Sequence, residues 1–375
     1  MKPLLKKIYL TLRRCLLRII AILIFHKRLL NSGVGPDIRK ILFIRIDRIG
    51  DLVLSTPALR AIKQRFPRSE LVVLVSPSNK SILFNNPNVD RIVVYGKEYG
   101  LKRRIKILQQ LREQDFDLAV DPYADYELNT SLIALLSGAK KRIGFAFYGR
   151  EVFFNIQSPE VREDQHIVDL SLGILVPLGI NACNRQPEVF LTDDEKQWAR
   201  DWQSERGIGD KPIVGIHPGG YYETQRWPLE RFADVANRLI EDGYSDVFLL
   251  GGPRDLGLVN RIHSMLEIKA PIYCGDNLRE FAALIYTCHI LICNNSGPLH
   301  MAVALNIPTI STMGPTNKDR WMPIGDIHRV FRRDELPCIG CNLGYCKIRT
   351  HDCMRLTTAS MVLEAVEDIL RARII

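Results

Sequence analysis

From residue 40 onward one pattern repeats: a short apolar run, a turn, then an amphipathic stretch with helical spacing. Short strands alternating with helices leave few architectures open, because consecutive strands must then lie parallel and be joined by right-handed crossovers. The pattern predicts strands over 41–46, 71–75, 91–95, 117–121 and 142–145, with helices near 57–66, 101–114 and 126–137. Over 151–190 the rhythm breaks, and a helix near 163–176 is placed to bridge two domains. It resumes with strands near 212–217, 246–250, 271–273, 290–293 and 308–312, and ends in a helix near 358–371. At 375 residues the chain exceeds one typical core. The expected fold class is α/β, with two Rossmann-like domains facing a cleft. The expected divisions are a basic amphipathic helix over 1–35, a first Rossmann-like domain over 36–185, a second over 186–357, and a C-terminal helix over 358–375.

The net charge of +9 suggests nucleic acid until it is located. Lys2, Lys6, Lys7, Arg13, Arg14, Arg18, Lys27 and Arg28 carry nearly all of it, with no acid among residues 1–30. The rest of the chain is close to neutral, so nucleic acid is not an expected partner. On a helical wheel these cations share one half, and Leu4, Leu5, Ile8, Leu12, Leu16, Ile19, Ile22 and Leu23 share the other. The uncharged run from Ile19 to Phe25 is far shorter than the ~20 residues needed to cross a bilayer. Basic residues continue through the apolar part, which argues against a signal peptide. The expectation is a helix lying in the interface of an anionic membrane, on its cytoplasmic face. A helix docked on the protein's own surface or on a partner is the other reading.

In an open parallel sheet, ligands sit at the carboxyl ends of the strands. The loop after the first strand, Arg45-Ile-Asp47-Arg48-Ile-Gly50-Asp51, carries clustered charge, and the helix after it opens at Ser55, Thr56 and Pro57. Asp51 has no evident structural task there. The loop lacks the G-x-G-x-x-G spacing of a dinucleotide site. Four loops in the second half end strands in the same way. His217-Pro-Gly219-Gly220 leads through Gln225-Arg226-Trp227 to a helix, and Arg226 is suited to a diphosphate. Gly251-Gly-Pro-Arg-Asp255 places an acid where ribose hydroxyls would meet it, or where a helix would be capped. Asn294-Asn295-Ser296-Gly297-Pro298 opens a helix as an anion cradle, with His300 one turn in. Met313-Gly314-Pro315-Thr316 borders the same cradle. The D-x-D at Asp115-Phe-Asp117 precedes a strand, away from the ligand end, and reads as a solvated strand start.

Nine cysteines are present. Cys338, Cys341, Cys346 and Cys353 crowd together, and the others are scattered through apolar segments, which does not suit a secreted disulfide framework. Four thiols at this spacing suit a structural zinc or iron ion; reduced cysteines with no ion are the other reading.

Taken together, Ile-Arg-Ile-Asp-Arg-Ile-Gly-Asp51 with Ser-Thr-Pro-Ala-Leu-Arg, His217-Pro-Gly-Gly…Arg226-Trp-Pro, Gly251-Gly-Pro, Asn295-Ser-Gly-Pro-Leu-His300 and Gly314-Pro-Thr resemble glycosyltransferase family 9, which includes the heptosyltransferases of lipopolysaccharide core assembly. The resemblance runs from about residue 40 to 370 in the family's order. It implies a glycosyltransferase-B fold, inverting transfer without a catalytic cofactor or metal, a nucleotide-sugar donor that is usually ADP-heptose, and a lipid-linked glycan acceptor. By it, Asp51 matches the catalytic base, and Arg45 and Arg48 beside it would face the acceptor. Gly219, Gly220, Gln225, Arg226, Asp255, Asn295, Ser296, Gly297, His300 and Thr316 fall in the donor-binding loops. The chain departs from the family's usual Lys at Gln225 and usual Asp at Asn295. These changes remove one charge of each sign, or mark another nucleotide sugar. Beside the enzyme stands a second reading, a nucleotide-sugar-binding protein of the same fold without turnover.

Overall fold

The computed structural model describes residues 9–17, 37–156, 161–162 and 164–374, and divides into two compact units, Met1–Arg185 and Gln186–Ile375. The first contains β1 (Lys40–Arg45), α1 (Ile49–Val53), α2 (Thr56–Arg65), β2 (Glu70–Val75), β3 (Arg91–Val94), α3 (Leu101–Arg112), β4 (Leu118–Asp121), α4 (Asn129–Leu136), β5 (Lys141–Gly144) and α5 (Ile167–Gly173). Its sheet has the order β3-β2-β1-β4-β5, with every pairing parallel. β1 is central, and its Ile41, Leu42, Phe43 and Ile44 are all fully buried. A continuous apolar run suits such a strand because both of its faces are covered. Leu42, Ile44, Val72, Leu74, Phe116, Ala119 and Ile133 form part of one core cluster. α5 belongs to this unit and packs on α2, where the Ser171 and Ser55 hydroxyls meet at 3.3 Å.

One local expectation changes. Gly50-Asp51 forms no open glycine turn; the chain leaves β1 through Asp47 and coils at once into α1. Arg48 is extended at its N-cap, and the Leu52 and Leu54 N–H groups donate back to the Arg48 and Gly50 carbonyls at 3.2 and 2.9 Å. Ser55 does not cap α2 either. Its hydroxyl donates to the Asp51 carbonyl at 2.8 Å, which ties the two helices together.

The second unit contains α6 (Asp193–Ser204), β6 (Ile213–His217), α7 (Leu229–Glu241), β7 (Asp246–Leu250), α8 (Leu256–Met265), β8 (Ile272–Tyr273), α9 (Leu278–Tyr286), β9 (Ile290–Asn294), α10 (Gly297–Ala304), β10 (Thr309–Thr312), β11 (Arg329–Phe331) and α11 (Ala359–Ile374). Its parallel sheet has the order β11-β10-β9-β6-β7-β8. β11 is absent from the sequence expectation, since three residues with an exposed Arg329 give too short a period to register. α6 starts in a capping box: Thr192 Oγ1 accepts from Glu195 N at 3.2 Å, and Glu195 Oε2 accepts from Thr192 N at 2.8 Å. Val362 and Val366 of α11 join Phe232, Val235 and Ile310 in the core cluster, so the last helix is part of this unit's packing.

The basic helix expected over 1–35 lies outside the described residues except at 9–17, which are helical. There Leu10 is buried, while Tyr9, Leu12 and Leu16 are exposed. Arg13 donates to the Tyr126 and Tyr148 carbonyls, and Arg14 pairs with Glu151 at 2.8 Å, so this stretch rests on the first unit. Among the described residues, no helix is long and apolar enough to cross a membrane.

Candidate active site

Each sheet reverses its winding at one place: between β1 and β4 in the first unit, and between β6 and β9 in the second. Crossovers depart to opposite sides there and leave a crevice at the carboxyl edge. The sequence-predicted site residues collect at these two edges.

In the first unit, Asp51 stands in the opening turn of α1, directly past β1. Arg45 ends β1 with its side chain 3% exposed. Its Nη2 lies 3.5 Å from Asp51 Oδ1, its Nη1 lies 3.3 Å from Asp47 Oδ2, and its Nε donates to the Asp51 carbonyl at 3.2 Å. Arg45, expected to face an acceptor, is instead the buried clamp of the loop, and Arg48 is the exposed cation. Asp121 ends β4, fully buried, and is paired with Arg150, which also donates to the Tyr123 and Asp125 carbonyls and to Thr130 Oγ1. Burial and the nearby carboxylates of Glu127, Asp125, Asp47 and Asp51 push the Tyr123 phenol up. The sequence reading missed Asp47, Asp121 and Arg150 as a set; the signal was an acid at or just beyond the end of each central strand. Asp117, by contrast, starts β4 by accepting from the Arg39 and Lys40 amides and from Lys140, which is a structural task.

In the second unit the four loops meet. His217 ends β6, and its Nε2 lies 3.5 Å from Asp255 Oδ2. Asp255 does not cap α8 with its side chain; Oδ2 accepts the Gly252 amide at 3.1 Å. Burial pulls its carboxyl upward, but the His217 hydrogen bond and charge, the Gly252 amide and the Arg226 charge outweigh it, and the group titrates below the usual carboxylate range. Gly219 makes this pairing possible. A Cβ there would stand 2.5 Å from Asp255 Oδ1 and 2.6 Å from His217 Cε1. Arg226 donates Nε and Nη2 to the Gly220 carbonyl at 3.1 and 3.0 Å, fixing the guanidinium to the β6 loop. Gln225 Nε2 donates to Thr316 Oγ1 at 3.3 Å, joining the loops after β6 and β10.

Asn294, the last residue of β9, is the knot of the site. It is fully buried: Oδ1 accepts Trp227 N–H at 2.8 Å and the Thr312 hydroxyl at 2.9 Å, and Nδ2 donates to the Pro218 and Gly219 carbonyls at 2.8 and 3.1 Å. The sequence reading placed it in the motif but not among the site residues. A buried amide ending a strand was the available signal, since such a group must find its partners. Asn295 is buried too, and its Nδ2 donates to the Trp321 carbonyl at 3.1 Å. Ser296 and Gly297 open α10, and the His300 ring is buried with its centroid 6.0 Å from that of Trp321. Arg332, unmarked in the sequence reading, donates Nη1 to the Met313, Gly314 and Thr316 carbonyls and so shapes the loop after β10.

Cys338, Cys341, Cys346 and Cys353 line one small, partly open pocket with Thr224, Tyr345 and His351. The segment is tied to the loops after β6 and β10. Thr224 Oγ1 donates to the Leu343 carbonyl at 2.7 Å, Asn342 N donates to the Pro315 carbonyl at 2.7 Å, and a Cβ on Gly314 would lie 2.9 Å from Cys353 Sγ. Burial and the other three thiols push the Cys353 thiol up to about 11. Among the described residues, no three of His, Cys, Asp or Glu stand close enough to hold an ion together. The four thiols share a pocket but do not form the expected coordination shell.

Known proteins give the arrangement a context. A curated relative, lipopolysaccharide heptosyltransferase 2 of Escherichia coli K12, is 24% identical over 330 residues, covering 84% of this chain and 91% of its own. The solved glycosyltransferase family 9 structure from Veillonella parvula superposes with a TM-score of 0.80 at 23% identity, covering 91% of this chain and 100% of that one. The E. coli ADP-heptose lipopolysaccharide heptosyltransferase II structure superposes at 0.75 and 24% identity, covering 90% and 100%. These likenesses show the fold, two Rossmann-like units of the glycosyltransferase-B class. The profile described as "Glycosyltransferase family 9 (heptosyltransferase)" matches residues 104–347, and with the motif loops gathered at the carboxyl edges of both sheets, the chain belongs to glycosyltransferase family 9 and is a glycosyltransferase.

Proposed function

We propose that the protein transfers heptose from ADP-heptose to a lipopolysaccharide core or related lipid-linked glycan, with inversion and without a catalytic metal. The observation that carries the reading is the gathering of Arg226, Asp255, the Ser296–Gly297 helix start and Thr316 on one sheet edge. Cation, helix N-terminus and hydroxyl suit a diphosphate, and Asp255 suits ribose hydroxyls. Asp51 takes the proton of the acceptor hydroxyl as its oxygen bonds to the sugar's anomeric carbon. The bond from that carbon to the diphosphate breaks at the same time, and ADP leaves with the electron pair. A positioned base contributes typically ~10²–10⁴ in rate. Fixed donors around the leaving diphosphate supply the larger electrostatic share. The relative named for ADP-heptose supports this donor, and Gln225 and Asn295 are where another nucleotide sugar would be selected.

The test is turnover of ADP-heptose on an inner-core acceptor by wild type and Asp51→Asn. Loss of about 10²–10⁴ in kcat with donor binding retained supports the reading. Wild-type turnover in Asp51→Asn removes Asp51 as base. Binding of a UDP-, GDP- or dTDP-sugar in place of ADP-heptose moves the donor, and binding without turnover on any acceptor favours the non-catalytic reading.

Residues 1–30 hold the enzyme on the anionic inner face of the cytoplasmic membrane in this proposal, with exposed Leu12 and Leu16 directed to lipid. Co-sedimentation with anionic vesicles that is lost in Leu12→Asp/Leu16→Asp would support it; retained binding would sink it. By residue type the four thiols suit a soft structural ion, zinc or iron, and binding one would require them to close together from the separated positions they hold here. Elemental analysis of purified protein and of Cys341→Ser decides between an ion and four reduced thiols.

A further inference from the structure

One guanidinium serves two carboxylates beside the proposed base. Arg45 Nη1 faces Asp47 at 3.3 Å and Nη2 faces Asp51 at 3.5 Å, while its Nε is held by the Asp51 carbonyl. Arg45 is buried, so solvent does not dilute this competition. Asp47 Oδ2 has Arg45, but its Oδ1 is shut off from solvent and has no hydrogen-bond partner among the described residues. The backbone around it is fixed, because the Asp47 carbonyl accepts Asn79 Nδ2 at 3.2 Å and Ser76 Oγ at 3.5 Å. A carboxylate oxygen buried without a donor is costly, and the cost falls when the group is protonated.

We propose that Asp47 is a positioning residue for the catalytic base: it shares Arg45 with Asp51, and its charge state sets how strongly Asp51 holds a proton. The inference rests on the reading of Asp51 as the base. When Asp47 is neutral, the charge of Arg45 falls on Asp51 alone, and the carboxylate is a weak base. When Asp47 ionises, Arg45 is divided between the two, and the second negative charge raises the proton affinity of Asp51. The proton taken from the acceptor hydroxyl resides on Asp51 before it passes to water.

The other charged groups around Asp47 act in the same direction or cancel. Asp121 at the end of β4 opposes its ionisation, although Asp121 is itself paired with Arg150. The Tyr123 phenol lies within its field and stays neutral at ordinary pH. Ser76 and Asn79, after β2, carry no charge. Burial is the largest influence, opposed by Arg45 and reinforced by Asp51, and it pushes the Asp47 carboxyl up to about 7. Base strength therefore climbs as pH rises through neutrality.

The experiment is the pH profile of kcat and kcat/KM from pH 5.5 to 8.5 for full-length wild type, Asp47→Asn, Asp47→Glu and Asp51→Asn, with ADP-heptose and an inner-core acceptor. Wild type is expected to show a rising limb centred near neutrality. Asp47→Asn is expected to lose that limb and roughly tenfold in kcat, with donor KM unchanged, and Asp47→Glu to restore the limb. A wild-type limb and kcat in Asp47→Asn would overturn the proposal while leaving Asp51 in place. Full turnover in Asp51→Asn would overturn the base itself, a separate failure. Should Asp47→Asn not fold, the 13Cγ resonance of Asp47 is titrated in wild type and Asp51→Asn. A midpoint near neutrality that falls when Asp51 is replaced supports the coupling, and one in the ordinary aspartate range near 4 refutes it.

Discussion

The backbone N–H of Trp227 donates to Oδ1 of Asn294 at 2.8 Å, across 67 residues of chain. This contact joins the loop that carries Gln225 and Arg226 to the strand end that starts the Asn295–Gly297 cradle. Trp227 is itself anchored, with its indole Nε1–H donating to the Thr357 carbonyl at 3.0 Å and its ring against Phe232. The geometry of these loops is therefore set by a buried amide.

Asn294→Ala would leave the Trp227 amide and the Pro218 and Gly219 carbonyls without this side chain. Each buried group stripped of a partner costs about 1–3 kcal/mol, so a loss of roughly 3 kcal/mol in urea unfolding is expected. ADP-heptose affinity, measured calorimetrically on the folded variant, should fall as well. Full donor affinity at reduced stability would show that the knot serves folding alone.

Gly219→Ala addresses the His217–Asp255 pairing. A methyl group would enter the space held by the Asp255 carboxylate and the His217 ring, within 2.6 Å of each. Asp255 must then swing away from its place, and nucleotide affinity is expected to drop at least tenfold with the sheet intact by circular dichroism. Unchanged affinity would remove Asp255 from the ribose site.

Acid stability should report the same carboxylate. Asp255 titrates below its unfolded value, so its stabilising contribution is complete above the ordinary carboxylate range and is lost as pH falls through the folded pKa. Below about pH 4, unfolding free energy should therefore fall less steeply in Asp255→Asn than in wild type. Parallel slopes would contradict this sign.

Asn295→Asp restores the residue usual in the family and is expected to be harmful here. The Asn295 amide N–H donates to the Trp321 carbonyl at 3.1 Å, and a carboxylate cannot. Two acceptors would then face each other in a buried place, lowering stability by about 1–3 kcal/mol, read as a drop in Tm. A higher Tm would mean that the side chain rearranges toward another donor.

Much of the fold was written in local pattern. Eleven-residue stretches such as Ile41–Asp51 and Ile213–Glu223 combine an unbroken apolar run with a glycine-bearing loop, and only a buried parallel strand ending in a ligand edge suits them. Short elements were less legible. β11 has three residues and α1 has five, too few for a period to repeat, and α1 turned the expected glycine turn at Asp51 into a helical one.

The sequence by itself determined the two parallel sheets, the glycine- and polar-rich loops at their strand ends and the placing of the charge, because strand and helix periods, turn residues and charge counts are properties of neighbours along the chain. Only the tertiary structure decided what each polar group faces. Arg45 looked like a free cation beside Asp51, yet folding buries it between Asp47 and Asp51. Asn294 looked like one more polar loop residue, yet it closes on Pro218, Gly219, Trp227 and Thr312. Four cysteines spaced for an ion gather round one pocket without closing on it. Hydrogen bonds and ion pairs depend on distances between residues far apart in sequence, and those distances exist only once the chain has packed.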